Sequence, residues 1–159
     1  MNKKPSKNPV GVTGEYYVAA ELGKQNILAL LTPRNNPLFD IVAVSPDAQF
    51  TSIIQVKTMS LSNKQGWRLS KDICKRRYNK NLFVILVNLM KENVEYYIYE
   101  YDILSKRVEE DYKKYINTPK KDGKPHKDLD FRWFDFAHFT SDDYARKNNW
   151  NILGLSGNK

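Results

Sequence analysis

The sequence predicts a single α/β domain with a central mixed β-sheet flanked by helices, and three observations carry that prediction. Residues 11–24 repeat apolar side chains at helical spacing. Residues 82–87, Leu-Phe-Val-Ile-Leu-Val, form a continuous apolar run of the kind seen in a strand buried on both faces. Strand-like and helix-like segments are interspersed along the chain rather than segregated. With 159 residues, 41% hydrophobic and 13% aromatic, the chain can build one proper core but not two of ordinary size. A flexible basic tail is expected over residues 1–10 and one domain over 11–159.

In order, residues 11–24 are expected as a helix whose apolar stripe is Val12, Tyr16, Ala19, Ala20 and Gly23. Glu15 then falls at the stripe's edge and Glu21 on the opposite side, at about 100° per residue. Residues 27–32 are short and apolar, bounded by Pro33 and the Asn35-Asn36-Pro37 turn, and read as a first strand. Strands from Phe39 to Val44 and from Phe50 to Thr58 follow, joined through Ser45-Pro46-Asp47-Ala48. Ser70 is placed to cap a basic helix through Tyr78. After the buried run, residues 95–101 alternate polar and aromatic side chains as an edge strand would, and residues 104–116 read as a helix. Residues 118–129, with four lysines, two prolines and Gly123, read as a loop that could lie against phosphate. Phe131, Trp133, Phe134, Phe136 and Phe139 are expected as a lid on the core, and Thr140 or Ser141 as the cap of a last helix into Trp150.

Composition excludes several functions. No stretch approaches the roughly 18 apolar residues of a membrane span, and no apolar signal segment follows the basic start. A cytoplasmic protein without a membrane partner is therefore expected. Cys74 is the only cysteine, so no disulfide can form within one chain. His126 and His138 lack metal-ligand spacing, and no phosphate-cradling glycine loop is present. The net charge is +8, and eight basic residues lie between Lys57 and Lys80 against Asp72 alone. That concentration suggests a polyanion partner, nucleic acid ahead of anionic lipid, with Lys64, Arg68, Lys71, Lys75, Arg76 and Arg77 gripping phosphates.

The chemistry concentrates where the basic segment begins. Asp40 opens one strand, and Gln55 and Lys57 share one face of the next while Val56 points the other way. A hairpin loop centred between Ala48 and Gln49 would set Asp40 opposite Lys57 and Val42 opposite Gln55, with Asp40 diagonal to Gln55. Such positions lie within about 5 Å and about 8 Å respectively. Glu15 can complete the cluster if the first helix packs on that face. Two carboxylates and an amide oxygen suit a hard cation such as Mg²⁺, which takes one or two carboxylates plus waters and substrate phosphate. A metal there would polarise a phosphodiester and acidify a bound water, with Lys57 orienting that water or offsetting developing charge. A buried Asp40–Lys57 pair that merely holds the hairpin is the competing structural explanation.

Gly14-Glu15, Phe39-Asp40-Ile41-Val42 and Gln55-Val56-Lys57-Thr58 together resemble the PD-(D/E)xK nuclease superfamily, which includes many restriction endonucleases and the archaeal Holliday-junction resolvases. The resemblance covers residues 11–90, and Trp67-Arg68-Leu69 and Asn149-Trp150-Asn151-Ile152-Leu153 extend it. Two departures stand out: no proline directly precedes Asp40, and Gln55 replaces the second carboxylate. The resemblance implies a restriction-endonuclease-like fold and a Mg²⁺- or Mn²⁺-dependent DNA endonuclease. Glu15, Asp40 and Gln55 would hold the metal, Lys57 would assist the water, and a homodimer would suit two-strand cutting. The alternatives are a non-catalytic DNA-binding module on the same fold, and a defence-system accessory whose basic face meets a protein.

Overall fold

Alternating side chains sort the strands onto two faces, and each face builds its own core. A computed structural model describes residues 9–33, 36–59 and 63–155. The regular elements are α1 (Pro9–Lys24), β1 (Leu28–Leu31), β2 (Ile41–Val44), β3 (Thr51–Thr58), β4 (Gly66–Ser70), β5 (Leu82–Asn88), β6 (Glu95–Glu100), α2 (Tyr101–Asn117), β7 (Phe131–Asp135) and α3 (Ser141–Ala145). Five strands form one sheet in the order β1-β2-β3-β5-β6, and β4 and β7 form a separate two-stranded ribbon. All neighbouring pairs are antiparallel except β3 and β5, so the main sheet is mixed, as expected. The basic tail lies outside the described residues up to residue 8, while Pro9 and Val10 already belong to α1. Among the described residues no helix is long and apolar enough to cross a membrane.

One core joins Val18 and Leu22 of α1 to Ile41, Ala43, Ile54, Val56, Ile85 and Ile98. The other joins Leu82, Val84, Leu86 and Tyr99 to Trp67, Leu69, Phe134, Leu104 and Val108 beneath the ribbon and α2. All seven residues of β5 are buried, because both cores converge on it. The aromatic stretch does cover the core: Trp67 stacks with Phe139 at 6.4 Å, and its indole N–H donates to the Val87 carbonyl at 3.1 Å.

The structure changes several sequence expectations. The buried line of α1 is Gly14, Val18 and Leu22, whereas Tyr16, Ala20 and Gly23 are exposed. The reason is Gly14: a Cβ there would stand 1.9 Å from the Thr58 hydroxyl oxygen, so only glycine lets the helix lie this close to β3. About that line, at about 100° per residue, Glu15 and Glu21 flank the buried stripe on either side instead of facing opposite ways. Glu21 is accordingly half-buried too.

The basic helix shrinks to one 3₁₀ turn, Lys71–Cys74. Ser70 does cap it, accepting from the Asp72 amide at 3.3 Å. The turn stops because the Tyr101 hydroxyl donates to the Asp72 and Lys75 carbonyls at 3.2 and 3.0 Å, and Lys75 is already extended. The last helix is also short. Thr140 and Asp143 form a capping box, but α3 ends at Ala145 and Trp150–Leu153 is a separate 3₁₀ turn.

The β2–β3 register is shifted by two residues from the expected one. Val42 pairs with Ile53 and Val44 with Thr51, and the ladder ends at Ile41–Ile54, so Asp40 lies beside Ile54 and not opposite Lys57. Asp47 sets this turn: its carboxylate accepts from the Ser45 hydroxyl at 2.5 Å and the Gln49 amide at 3.1 Å, with Ala48 at φ 59°. A shift of two preserves which face each side chain occupies.

Candidate active site

The site begins with a departure from the β2–β3 ladder. Asp40 donates its N–H to the Ile54 carbonyl at 2.9 Å, although Ile41 is the register partner of Ile54. Two residues of the β2 strand thus face one of β3, the arrangement of a β-bulge, which re-aims a side chain next to many active sites. The Asp40 carboxylate then accepts from the Val56 amide at 2.8 Å, where a strand carbonyl would otherwise sit. Val56 is the residue between Gln55 and Lys57, so all three candidates meet within one residue of a single point on β3.

Gln55 and Lys57 point away from the α1 core, since Ile54 and Val56 point into it. They line a cleft of about 230 Å³ with Pro37, Ser70, Asp72, Arg77 and Tyr101. The topology explains this neighbourhood. Parallel pairing of β3 and β5 requires a crossover, and residues 63–81 between them lie across the face that bears Gln55 and Lys57. The basic segment is that crossover.

Glu15 enters differently. Because α1 packs on the Ile54 and Val56 side, Glu15 does not share the Gln55–Lys57 face. The close approach of Gly14 to Thr58 sets Glu15, which is half-buried, near the C-terminal end of β3. Glu15, Asp40 and Lys57 are each engaged with neighbouring groups.

The six basic candidates divide. Arg77 is the one that reaches the cleft; it donates to the Leu38 carbonyl at 3.4 Å and lies 5.1 Å over the Tyr101 ring. Lys75 pairs with Asp72 at 2.9 Å and Lys71 with Asp130 at 2.7 Å. Hydrogen bonding to Lys75 holds the Asp72 carboxyl below the usual carboxylate range. Arg68 stacks 3.9 Å over Phe131, while Lys64 and Arg76 are exposed. Arg76 lines a second cleft of about 470 Å³ together with Arg77, Glu109, Glu110 and Lys113, so Arg77 borders both clefts.

Sequence reasoning missed Asp72 and Tyr101 as cleft residues. Tyr101 gave no local signal, since only folding brings the start of α2 against the crossover, where burial raises its phenol above the ordinary value. Asp72 was visible as the lone acid of the basic run, but its place depended on a helix that does not form.

As a donor set, the Glu15 and Asp40 carboxylates and the Gln55 amide oxygen are hard oxygen ligands, matched to Mg²⁺ or Mn²⁺. Among the described residues no three His, Cys, Asp or Glu side chains gather in a metal-holding group. Two carboxylates and an amide fit a cation that keeps several waters, not one enclosed by protein.

No protein-family model matches the chain, and no curated protein does either. Among solved structures, that of a bacterial homing endonuclease, I-Ssp6803I, is similar with a TM-score of 0.57 and 13% identity, covering 94% of this chain and 95% of that one. The likeness is one of fold. It spans both cores and the ribbon, and so places the mixed sheet and its flanking helices in an architecture that a nuclease uses.

Proposed function

We propose that the chain is a metal-dependent DNA endonuclease of the PD-(D/E)xK type, with Asp40, Gln55 and Lys57 at its centre and Glu15 at the rim. The observation that supports this reading is the bond from the Val56 backbone amide to the Asp40 carboxylate, which holds the acid beside the residue that separates Gln55 from Lys57. The fold of a bacterial homing endonuclease supports it at the level of architecture.

Asp40 and Gln55 would hold a Mg²⁺ ion, with Glu15 contributing from the end of β3. The bound metal would supply a Lewis acid for the scissile phosphate and a water acidified toward neutral pH. Lys57 would orient the attacking water or stabilise charge on the non-bridging oxygens. Its ammonium is aimed by the strand, since Gln55 and Lys57 share one face. Arg77 would fix a neighbouring phosphate from the opposite wall of the cleft, in the forked geometry that suits phosphate oxygens. Lys64, Arg68 and Arg76 would carry the flanking backbone. A non-catalytic DNA-binding module is the second reading, favoured by the lack of a third acid among the described residues.

Incubation with supercoiled, linear, branched and single-stranded DNA in Mg²⁺, Mn²⁺ or chelator separates the two. Cleavage in metal, none in chelator, and a loss of about 100-fold or more in Lys57→Ala are expected. Salt-sensitive DNA binding without cleavage in any metal would replace the nuclease by the binding module.

A further inference from the structure

Strand alternation sorts the aromatic residues of the ribbon between its two sides. Trp67, Leu69 and Phe134 face the core, which leaves Arg68 of β4 and Phe131 and Trp133 of β7 on the outer side. There Phe131 and Trp133 meet Tyr112 and Tyr115 of α2 across a third cleft, of about 300 Å³. Tyr115 is 42% exposed and the other three rings are half-buried. The rings are held in place. The buried Arg132 lays its guanidinium 3.4 Å over Tyr112, and Asp128 accepts from the Tyr112 hydroxyl. Arg68 lies 3.9 Å over Phe131, and Phe131 meets Trp133 edge-on at 6.1 Å. A rigid aromatic wall gives contact area at little entropic cost.

We propose that this cleft holds an unpaired base of a DNA strand, stacked on its rings, with the flanking phosphates on the lysine loop that borders it. Residues 118–129 form that loop, and two contacts seat it at the cleft. His126 lies ring to ring with Tyr115 at 4.0 Å, and the Leu129 amide donates to the Tyr112 hydroxyl at 3.3 Å. Lys120, Lys121 and Lys127 of the loop are exposed, as is Arg68. The nearby acids are committed elsewhere and are not offered to an organic cation. Asp111 pairs with Arg107 at 2.5 Å and Asp122 with Lys124 at 3.3 Å, while Asp135 accepts from Gln65 at 2.6 Å and from the Ala137 amide at 2.8 Å. Aromatic faces beside exposed cations match a nucleotide, since every base has a face to stack and a phosphate to pair. A paired base keeps its faces in the duplex stack, so the strand must be single, gapped or branched at this nucleotide. Gln65 lines this cleft and Ser70 the candidate active site, so roughly 17 Å of extended chain separates the two. One DNA strand can reach both. The inference rests on the DNA-binding part of the proposed function and not on cleavage.

Fluorescence titration of the full chain in chelator tests it, with 2-aminopurine placed in a single strand, in the gap of a gapped duplex, or paired in a full duplex. The wild type is expected to quench the probe in the first two and to bind them about ten-fold more tightly than the full duplex. Trp133→Ala should abolish the quenching and weaken both by about ten-fold, leaving duplex affinity within about two-fold, and Trp133→Phe should retain the stacking. Should Trp133→Ala fail to fold, Tyr115→Ala changes a partly exposed side chain of α2 and should weaken the same two substrates about five-fold. Equal affinity for paired and unpaired forms without quenching overturns the proposal, as does undiminished binding by either folded alanine variant. A chain that quenches the probe but cuts nothing in Mg²⁺ leaves it standing and removes the nuclease. A chain that cuts paired DNA and quenches no form of the probe removes it without touching the nuclease reading.

Discussion

The two halves of the main sheet differ in cover, and the candidate site lies on the strand between them. Around β5 and β6 both faces are packed, and every residue of β5 is buried. Among the described residues around β1 and β2, the α1 face is the packed one, and the leucines of β1 are exposed. β3 belongs to both halves: Ile54 and Val56 sit in one core, while Gln55 and Lys57 open into the cleft. Stability thus resides on one side and free surface on the other, and polar chemistry occupies the seam. A buried polar cluster in the β5 half would have to displace core; at the seam it does not.

Stability measurements should break the symmetry most sharply. Trp67→Ala removes a side chain that is 1% exposed, with its hydrogen bond to Val87, and should cost about 3–5 kcal/mol in denaturant unfolding. Leu30→Ala in the other half should leave the fold of one chain within about 0.5 kcal/mol. Comparable losses would mean that the bare half is as tightly packed as the covered one.

Gly14→Ala tests how the helix reaches the seam. The new methyl meets the Thr58 side chain, whose β-branched geometry leaves it little room to turn aside, so a loss of about 1–3 kcal/mol is expected. Because the strain displaces α1, metal affinity should fall along with stability. A shift in stability alone would detach Glu15 from the site.

Gln55 sharpens the chemistry. Gln55→Glu adds charge at the same length and should tighten Mg²⁺ in calorimetric titration, whereas Gln55→Leu removes the oxygen and should weaken it. Equal affinity for wild type and Leu would take Gln55 out of the metal shell. The smallest effect concerns the crossover. Arg76→Ala and Arg77→Ala together should reduce the logarithmic salt slope of DNA binding by about 1.8, at about 0.9 per phosphate contact. Lys75→Ala should change it far less, since Lys75 is already paired with Asp72.

Much of this seam was readable in the sequence, for a physical reason. Local periodicity placed α1, β2, β3, β5, β6 and α2, because each buries a face that its own residues encode, while β1 was marked by its short apolar run between turn residues. The side shared by Gln55 and Lys57 followed from strand alternation alone, and a register shift of two left it intact. What stayed hidden depended on distant contacts. β4 and β7 pair Gly66 with Asp135 across the whole of β5, β6 and α2, and five-residue strands carry little pattern of their own. The basic helix failed because a tyrosine 26 residues away took the Lys75 carbonyl. Glu15 was assigned to the inner edge of α1 correctly, but the stripe was misread because a glycine, which has no side chain to bury, marks its centre.

The central claim is that Asp40 is held at the bulge for chemistry and not merely for the ladder, and one pair of variants separates those roles. Asp40→Asn retains an oxygen that can accept from the Val56 amide but removes the negative charge; Asp40→Ala removes both. Plasmid cleavage in Mg²⁺ should be lost in both variants, while the melting temperature should hold in Asp40→Asn and fall in Asp40→Ala, where an amide is orphaned at a cost of about 1–3 kcal/mol. Wild-type cleavage by a folded Asp40→Asn protein would contradict the account.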